Sequence, residues 1–421
     1  MNKSTVGELI IDDESCQYGL GLPAEEYAPN KVRYLRISDI DDSGNLLDND
    51  KKFISAPNIK DYILKPNDLV VARTGNSTGR TYVYSEDDEK LAYAGFLIKY
   101  VFNSEKINPR YMKYFTVSDF YKKQISGFSG STRGNMNAQN FKNITVIYPN
   151  RKNQDKMVEL FDLISKKIKN NNKIISELES LAKTIYDYWF LQFEFPNEDG
   201  KPYKSSGGMM VWNKELNREI PKGWEAKKID DIVILLKDGT HNPPKRINHG
   251  IPLLTGTMFG KNFLDYSGAT YISNDDFQKI HSKYAPESGD IVMTKIGTIG
   301  NVNMLCENDI PIAIHCNSAL FRFPREIQGM YPLQMLKSQE FQARIDNNKG
   351  QSIQEFLSLS KLGSIPVIVP QEQTIKNFNT LTSPFLEKMG SIREENKTLQ
   401  SLRDFLLPML MNGQVTFKEE L

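Results

Sequence analysis

A chain of 421 residues, 39% hydrophobic and 10% aromatic, carries enough apolar side chains for two or three domain cores. A net charge of +1 at pH 7 excludes a partner held by bulk charge alone, so any nucleic-acid role needs local basic patches. No apolar run approaches 18 residues and no apolar signal core follows Met1, so a cytoplasmic protein without membrane contact is expected. Cys16, Cys306 and Cys316 share no metal-ligand spacing and read as reduced thiols, with no metal expected.

In chain order, residues 1–150 form a first globular unit of α+β character with a curved sheet. Short β-type runs occur at Val32-Arg-Tyr-Leu-Arg-Ile37, Leu69-Val-Val-Ala72, Thr81-Tyr-Val-Tyr84, Phe96-Leu-Ile-Lys-Tyr-Val-Phe102 and Ile144-Thr-Val-Ile-Tyr148. Turn chemistry such as Asp42-Ser-Gly44 and Thr74-Gly-Asn-Ser-Thr-Gly79 separates them. One helix is expected over 109–123, with Tyr111, Tyr114 and Phe115 facing inward. Between 110 and 142, Arg110, Lys113, Lys122, Lys123, Arg133 and Lys142 face the single acid Asp119. Inside that stretch, Gly127-Phe-Ser-Gly-Ser-Thr-Arg-Gly-Asn-Met-Asn137 sets hydroxyls, amides and an arginine on a glycine-studded loop, either a connector or a contact surface.

Residues 151–192 form a central helical region. Phe161, Ile164, Ile168, Ile175, Leu178, Ala182, Ile185 and Trp189 alternate at three and four, apart from one gap of seven that skips Asn171. This is the heptad of a coiled-coil seam. The 37 residues from 154 to 190 would make a rod of roughly 55 Å, which must bury its stripe against a partner. Residues 193–223, rich in Pro, Gly and Ser, read as a linker, with Trp224 expected to plug the domain that follows. Residues 224–370 repeat the globular plan, and residues 371–412 form a C-terminal helical region.

The repeat is the strongest signal in the chain. Phe385, Met389, Ile392, Leu399 and Leu406 reproduce Ile164, Ile168, Asn171, Leu178 and Ile185 at an offset of 221 (385 − 164). Upstream, Phe141-Lys-Asn-Ile-Thr-Val-Ile-Tyr-Pro149 answers Leu362-Gly-Ser-Ile-Pro-Val-Ile-Val-Pro370. Asn67-Asp-Leu-Val-Val-Ala-Arg-Thr-Gly75 answers Gly289-Asp-Ile-Val-Met-Thr-Lys-Ile-Gly297. A period this long marks a duplicated domain, not a solenoid. The partner of the central rod is therefore the second rod. Antiparallel pairing about a pseudo-twofold axis would space the two globular units by more than the ~34–36 Å of one DNA turn.

No motif points to an active site. Asn242-Pro-Pro-Lys245 is close to the Asn-Pro-Pro-aromatic loop with which amino-methyltransferases hold a flipped adenine, but Lys245 cannot stack on a base. Gly75-Asn-Ser-Thr-Gly79-Arg80 has the wrong glycine spacing for a phosphate-binding loop. His241, His249, His281 and His315 have no metal spacing, and His315 beside Cys316 reads as a satisfied strand histidine.

The order of these passages resembles the specificity subunit of type I restriction–modification systems. The resemblance rests on Leu35-Arg-Ile-Ser-Asp-Ile40, Asp68-Leu-Val-Val-Ala-Arg-Thr-Gly75, Lys237-Asp-Gly-Thr-His-Asn-Pro-Pro-Lys245 and Ile365-Pro-Val-Ile-Val-Pro370-Gln-Glu-Gln373, together with two similar helix ends beginning at Leu178 and Leu399. It implies a non-catalytic chain with two target-recognition domains, each contacting one half of a bipartite site on double-stranded DNA. It also implies helical regions that dock two modification (methyltransferase) subunits, with restriction subunits joining them. S-adenosylmethionine, ATP and Mg are then expected in the partner subunits and no cofactor in this chain. A coiled-coil scaffold holding two protein-interaction domains is the alternative.

Base edges are read by side chains capable of paired hydrogen bonds. Candidates in the first domain are Asn76, Ser77, Arg80, Ser131, Thr132, Arg133, Asn135 and Asn137, and in the second Lys237, Thr240, His241, Lys245, Arg246, Thr298, Ser352 and Gln354. Lys122, Lys123 and Lys295 are expected on phosphate, which positions without specifying.

Overall fold

The computed structural model describes all residues except 48–49, 128–135, 243, 261–262, 267, 349–355 and 418–421. It divides into two compact units, one of Met1–Lys169 with Asn396–Leu421 and one of Asn170–Glu395. Each unit contains one sheet-bearing domain and a portion of both long helices.

The first unit is built on three small sheets. Gln17–Tyr18, Leu97–Tyr100, Leu69–Ala72 and Thr81–Val83 lie side by side in that order, all antiparallel. Phe53–Ile54, Val32–Leu35 and Leu91–Tyr93 form a second sheet whose last pair is parallel. Asn2–Thr5 closes the domain by pairing with Thr145–Tyr148. The β-branched and aromatic runs are buried along their whole length, as in Leu69–Ala72 and Leu97–Tyr100, because both faces of these strands meet apolar neighbours.

The second unit repeats this plan strand for strand. Leu235–Asp238, Ser318–Arg322, Ile291–Thr294 and Val302–Met304 form the four-stranded sheet. Thr270–Ile272, Ile251–Leu254 and Ala313–Ile314 form the three-stranded one, again with one parallel pair. Glu225–Lys228 closes on Pro366–Val369. The duplication read from the sequence is therefore a duplication of topology.

The single helix expected over 109–123 is instead two, Tyr111–Phe115 and Asp119–Ser126. The break is chemical. Thr116 turns its hydroxyl back to the Met112 carbonyl at 2.8 Å, and Ser118 caps the second helix by accepting from the Tyr121 N–H.

The central helix runs Arg151–Tyr186 and is capped by Asn150, whose side-chain oxygen accepts from the Asn153 N–H at 2.9 Å. The C-terminal helix runs Glu372–Met411. Pro384 deprives the Thr380 carbonyl of its helical donor, and the Ser383 hydroxyl supplies one at 3.3 Å, so the helix continues. Within the second unit the two helices pair antiparallel: Asn171 donates to Glu395 at 2.8 Å, while at the other end the Tyr186 and Phe378 rings lie 6.2 Å apart. Ile175, Ala182, Met389 and Ile392 join that unit's core. In the first unit, Val158, Phe161 and Ile164 share a core with Leu407, Leu410 and Met411. The heptad seam is thus the buried face. The seam amide Asn171 is 2% exposed and satisfied across the seam by Glu395.

Residues 193–223, read as a linker, are folded. Met210–Asn213 and Arg218–Pro221 form a hairpin, and Phe195 stacks between Tyr203 at 4.6 Å and Trp224 at 4.9 Å. Pro and Gly content alone suggested a spacer, but the aromatic residues among them supply the apolar area that orders the segment. Trp224, 5% exposed, plugs the second domain as its position suggested.

Candidate nucleic-acid interface

In each domain one strand end serves as a hub for three loops. The strand Leu69–Ala72 ends in Arg73, whose N–H donates to the Phe96 carbonyl at 3.0 Å and whose carbonyl accepts from the Met136 N–H at 2.8 Å. The strand Ile291–Thr294 ends in Lys295, whose N–H donates to the Asn317 carbonyl at 2.8 Å and whose carbonyl accepts from the Leu357 N–H at 2.8 Å. A fourth segment passes close by. Leu20 bridges Ala94, and Thr240 bridges His315, both in parallel sense. That approach leaves room only for glycine just before each bridge, since a Cβ on Gly239 would sit 1.7 Å from the Ile314 carbonyl oxygen and one on Gly19 2.2 Å from that of Ala94.

Around the first hub, Asn76 is exposed and Ser77 half-exposed on the turn Gly75–Ser77. The helix Asp119–Ser126 lies under that turn, with the Tyr121 hydroxyl donating to the Gly79 carbonyl at 2.8 Å, and carries exposed Lys122 and Lys123. Arg80 is held away from a free role: its Nε donates to Asp42 at 2.6 Å and a terminal nitrogen to the Ile40 carbonyl. Asn137 caps the helix Ala138–Lys142, its side-chain oxygen accepting from the Asn140 N–H at 2.8 Å. Ser131, Thr132, Arg133 and Asn135 lie outside the described residues.

Around the second hub, Asp238 gathers three partners. Lys295 Nζ and His241 Nε2 each lie 3.1 Å from its carboxylate, and the Tyr284 hydroxyl donates to its carbonyl at 2.6 Å. Lys295, expected on phosphate, is only 6% exposed, and the structure places it as the buried half of an ion pair. Nothing local in the sequence signalled this, because the carboxylate that answers its charge comes from Asp238, far away in the chain. His241, Lys237, Lys245 and Arg246 are exposed, as is Thr298 on the turn after the hub. Thr240 spends its hydroxyl on the Asn242 backbone. Ser352 and Gln354 lie outside the described residues. Burial, and after it the charge of Arg246, holds the His315 imidazole below the usual histidine range, and the Asn317 N–H donates to its Nδ1.

Three residues escaped the sequence reading: Arg73, Tyr18 and Phe96. The Arg73 guanidinium lies over the Tyr18 ring at 5.1 Å, and Tyr18 and Phe96 are 42% and 57% exposed. The signal that could have found Arg73 was the repeat itself, which aligns it with Lys295.

Among the described residues no group of three His, Cys, Asp or Glu could hold a metal ion. No helix among them is long and apolar enough to cross a membrane. Fold and site together define a duplicated α+β protein: two versions of one loop platform, each on its own sheet and each fastened to long helices.

Residues 22–180 match the family of type I restriction modification DNA specificity domains. Among curated proteins, the chain is 27% identical over 320 residues to the type I restriction enzyme MjaIX specificity subunit of Methanocaldococcus jannaschii, an alignment covering 71% of this chain and 66% of that one, just under two thirds of its length. It is 21% identical over 443 aligned positions to the HindI specificity subunit of Haemophilus influenzae, covering 89% and 93% of the two chains. The fold is that of the crystal structure of the type I restriction–modification S subunit from M. genitalium, with a TM-score of 0.55 at 16% identity over 100% of this chain and 96% of that one. These matches bear out the resemblance that the sequence carries to the specificity subunits of type I restriction–modification systems.

Proposed function

We propose that the chain selects the DNA sequence on which a type I restriction–modification enzyme acts, with residues 1–150 and 224–370 as two target-recognition domains that each read one half of a bipartite duplex site. The observation that carries this reading is the pair of hubs. One backbone platform occurs twice, and the side chains it presents differ, with Arg73 over Tyr18 in one and Lys295 on Asp238 in the other. A duplicated platform with unlike side chains suits two unlike half-sites, since base edges are distinguished by the donors and acceptors offered to them.

The helical regions dock two adenine-specific modification subunits, and restriction subunits join that complex in the cytoplasm. S-adenosylmethionine, ATP and Mg belong to those partners. In this reading Asn76, Ser77, Lys237, His241, Lys245, Arg246 and Thr298, all exposed or half-exposed, meet DNA, and the exposed Lys122 and Lys123 meet phosphate.

The test is expression of the full chain with a modification subunit encoded beside it, followed by sequencing of methylated adenines. A two-part motif with a fixed spacer is expected. A single continuous motif, or methylation that does not depend on this chain, would overturn the reading.

A further inference from the structure

We propose that Arg73, stacked on Tyr18, is a specificity-determining contact of the first domain and reads guanine, whereas Lys295 at the equivalent place in the second domain is a positioning residue that does not touch DNA. This rests on the DNA-reading function proposed above.

Arg73 is set apart from its neighbours by what it lacks. The other described arginines of its unit are all ion-paired: Arg33 with Glu89, Arg36 with Asp39, Arg80 with Asp42, Arg110 with Asp162, Arg151 with Asp155 and Arg403 with Asp404. Among the described residues Arg73 has no carboxylate partner, and its buried Nε has no hydrogen-bond acceptor. A half-buried guanidinium without a counter-charge is costly unless something repays it. The stacking on Tyr18 repays part, through the attraction between a cation and a ring face. That stacking also fixes the plane of the fork while leaving its donors unspent. A planar, pre-oriented, weakly hydrated fork suits the O6 and N7 acceptors of guanine in the major groove. The platform opens outward, because Tyr18 is 42% exposed and Phe96, whose carbonyl pins the Arg73 backbone, is 57% exposed.

The second domain supplies the contrast at the same register. Tyr18 pairs with Ile98, and Asp238 pairs with Ala319. Ala72 pairs with Leu97, and Thr294 with Ser318, so Ile98 and Ala319 are each one residue beyond the hub pairing. Asp238 therefore stands where Tyr18 stands. Exchanging a ring for a carboxylate changes the hub's chemistry entirely: the ring orients the cation and leaves its charge available, while the carboxylate neutralises it at 3.1 Å. The Lys295 side chain is 8% exposed and its charge is answered internally. Its effect on recognition passes through Asp238, which also holds the exposed His241.

The deciding experiment is methylated-adenine sequencing with the full chain and its modification subunit, for the unaltered chain, Arg73→Ala and Arg73→Lys. Both variants are expected to relax one guanine position in one half of the motif by on the order of tenfold to a hundredfold. The other half should be unchanged, which also shows that the variant chain has folded and assembled. Arg73→Lys keeps the charge but loses the fork, so it separates base reading from phosphate contact. A variant motif identical to the unaltered one overturns the assignment, including the case in which affinity merely falls and the salt slope drops by about one, the mark of a phosphate contact. Absence of any two-part motif with the unaltered chain would instead overturn the proposed function, and this inference with it.

Discussion

The two domains share strand order, hub geometry and closing pair, yet they fasten to the long helices by different chemistry. In the second unit Arg393 of the C-terminal helix forks onto Asp309 at 2.6 and 2.9 Å, with the carboxylate 1% exposed and the Tyr266 hydroxyl donating to it at 2.8 Å. Burial disfavours the Arg393 charge, but the Asp309 hydrogen bonds and charge outweigh it and raise its pKa. In the first unit Asp88, 221 residues before Asp309 (309 − 88), instead meets Lys169 of the central helix at 3.9 Å, the lysine 72% exposed. A duplicated backbone therefore preserves where a domain is held but not how firmly. Burial decides the strength, because a desolvated pair cannot lose one member cheaply while a wet one can.

The largest test of that contrast is a matched pair of substitutions. Arg393→Leu strands a buried carboxylate and is expected to cost about 3–5 kcal/mol. Lys169→Ala should cost less than about 1 kcal/mol. Urea titration followed by tryptophan fluorescence reads the first directly, since Trp189, Trp212 and Trp224 all lie in the second unit. Equal losses from both substitutions would erase the distinction.

A smaller effect sharpens the comparison through acid. His241, His249, His281 and His315 all fall in the second unit. Burial holds the His281 pKa below the ordinary histidine value, and its Nε2 accepts from the Ile314 N–H at 3.3 Å, which requires the neutral ring. For a base with a depressed folded pKa, the unfolded chain binds more protons, so its stabilising contribution is complete above about pH 6.5 and is lost as pH falls through the lower folded value. Amide exchange at pH 7.5 and 5.5, corrected for intrinsic rates, should show protection falling in residues 251–314 more than in the first domain. His281→Gln should blunt that difference, and an unaltered difference would remove His281 as its source.

The smallest effect is at the surface. Lys122→Ala and Lys123→Ala should leave stability within about 0.5 kcal/mol and each lower the salt slope of DNA binding by about one without changing the methylated motif. A changed motif would move either lysine from phosphate to base.

Much of this was legible in the chain. Heptad spacing over 154–190 and its echo near the C-terminus predict two long helices with a shared buried face, because a stripe that long must be covered. The strands Leu69–Ala72 and Thr145–Tyr148 followed from β-branched runs between turns. The candidate site was legible only in part. Asn76, His241, Arg246 and Thr298 are polar residues on loops that do lie at the hubs. Arg80, Asn137 and Lys295 have the same chemistry in the sequence but are engaged by Asp42, by a helix end and by Asp238.

The sequence by itself determined the duplication, the helical seams and the pattern of strands, since these depend on periodicity and on residues near one another in the chain. Only the tertiary structure decided which cations are spent and which are free. That depends on whether a carboxylate from 57 residues away arrives beside Lys295 or a ring from 55 residues away arrives beneath Arg73, and no local pattern encodes which of the two the fold will deliver.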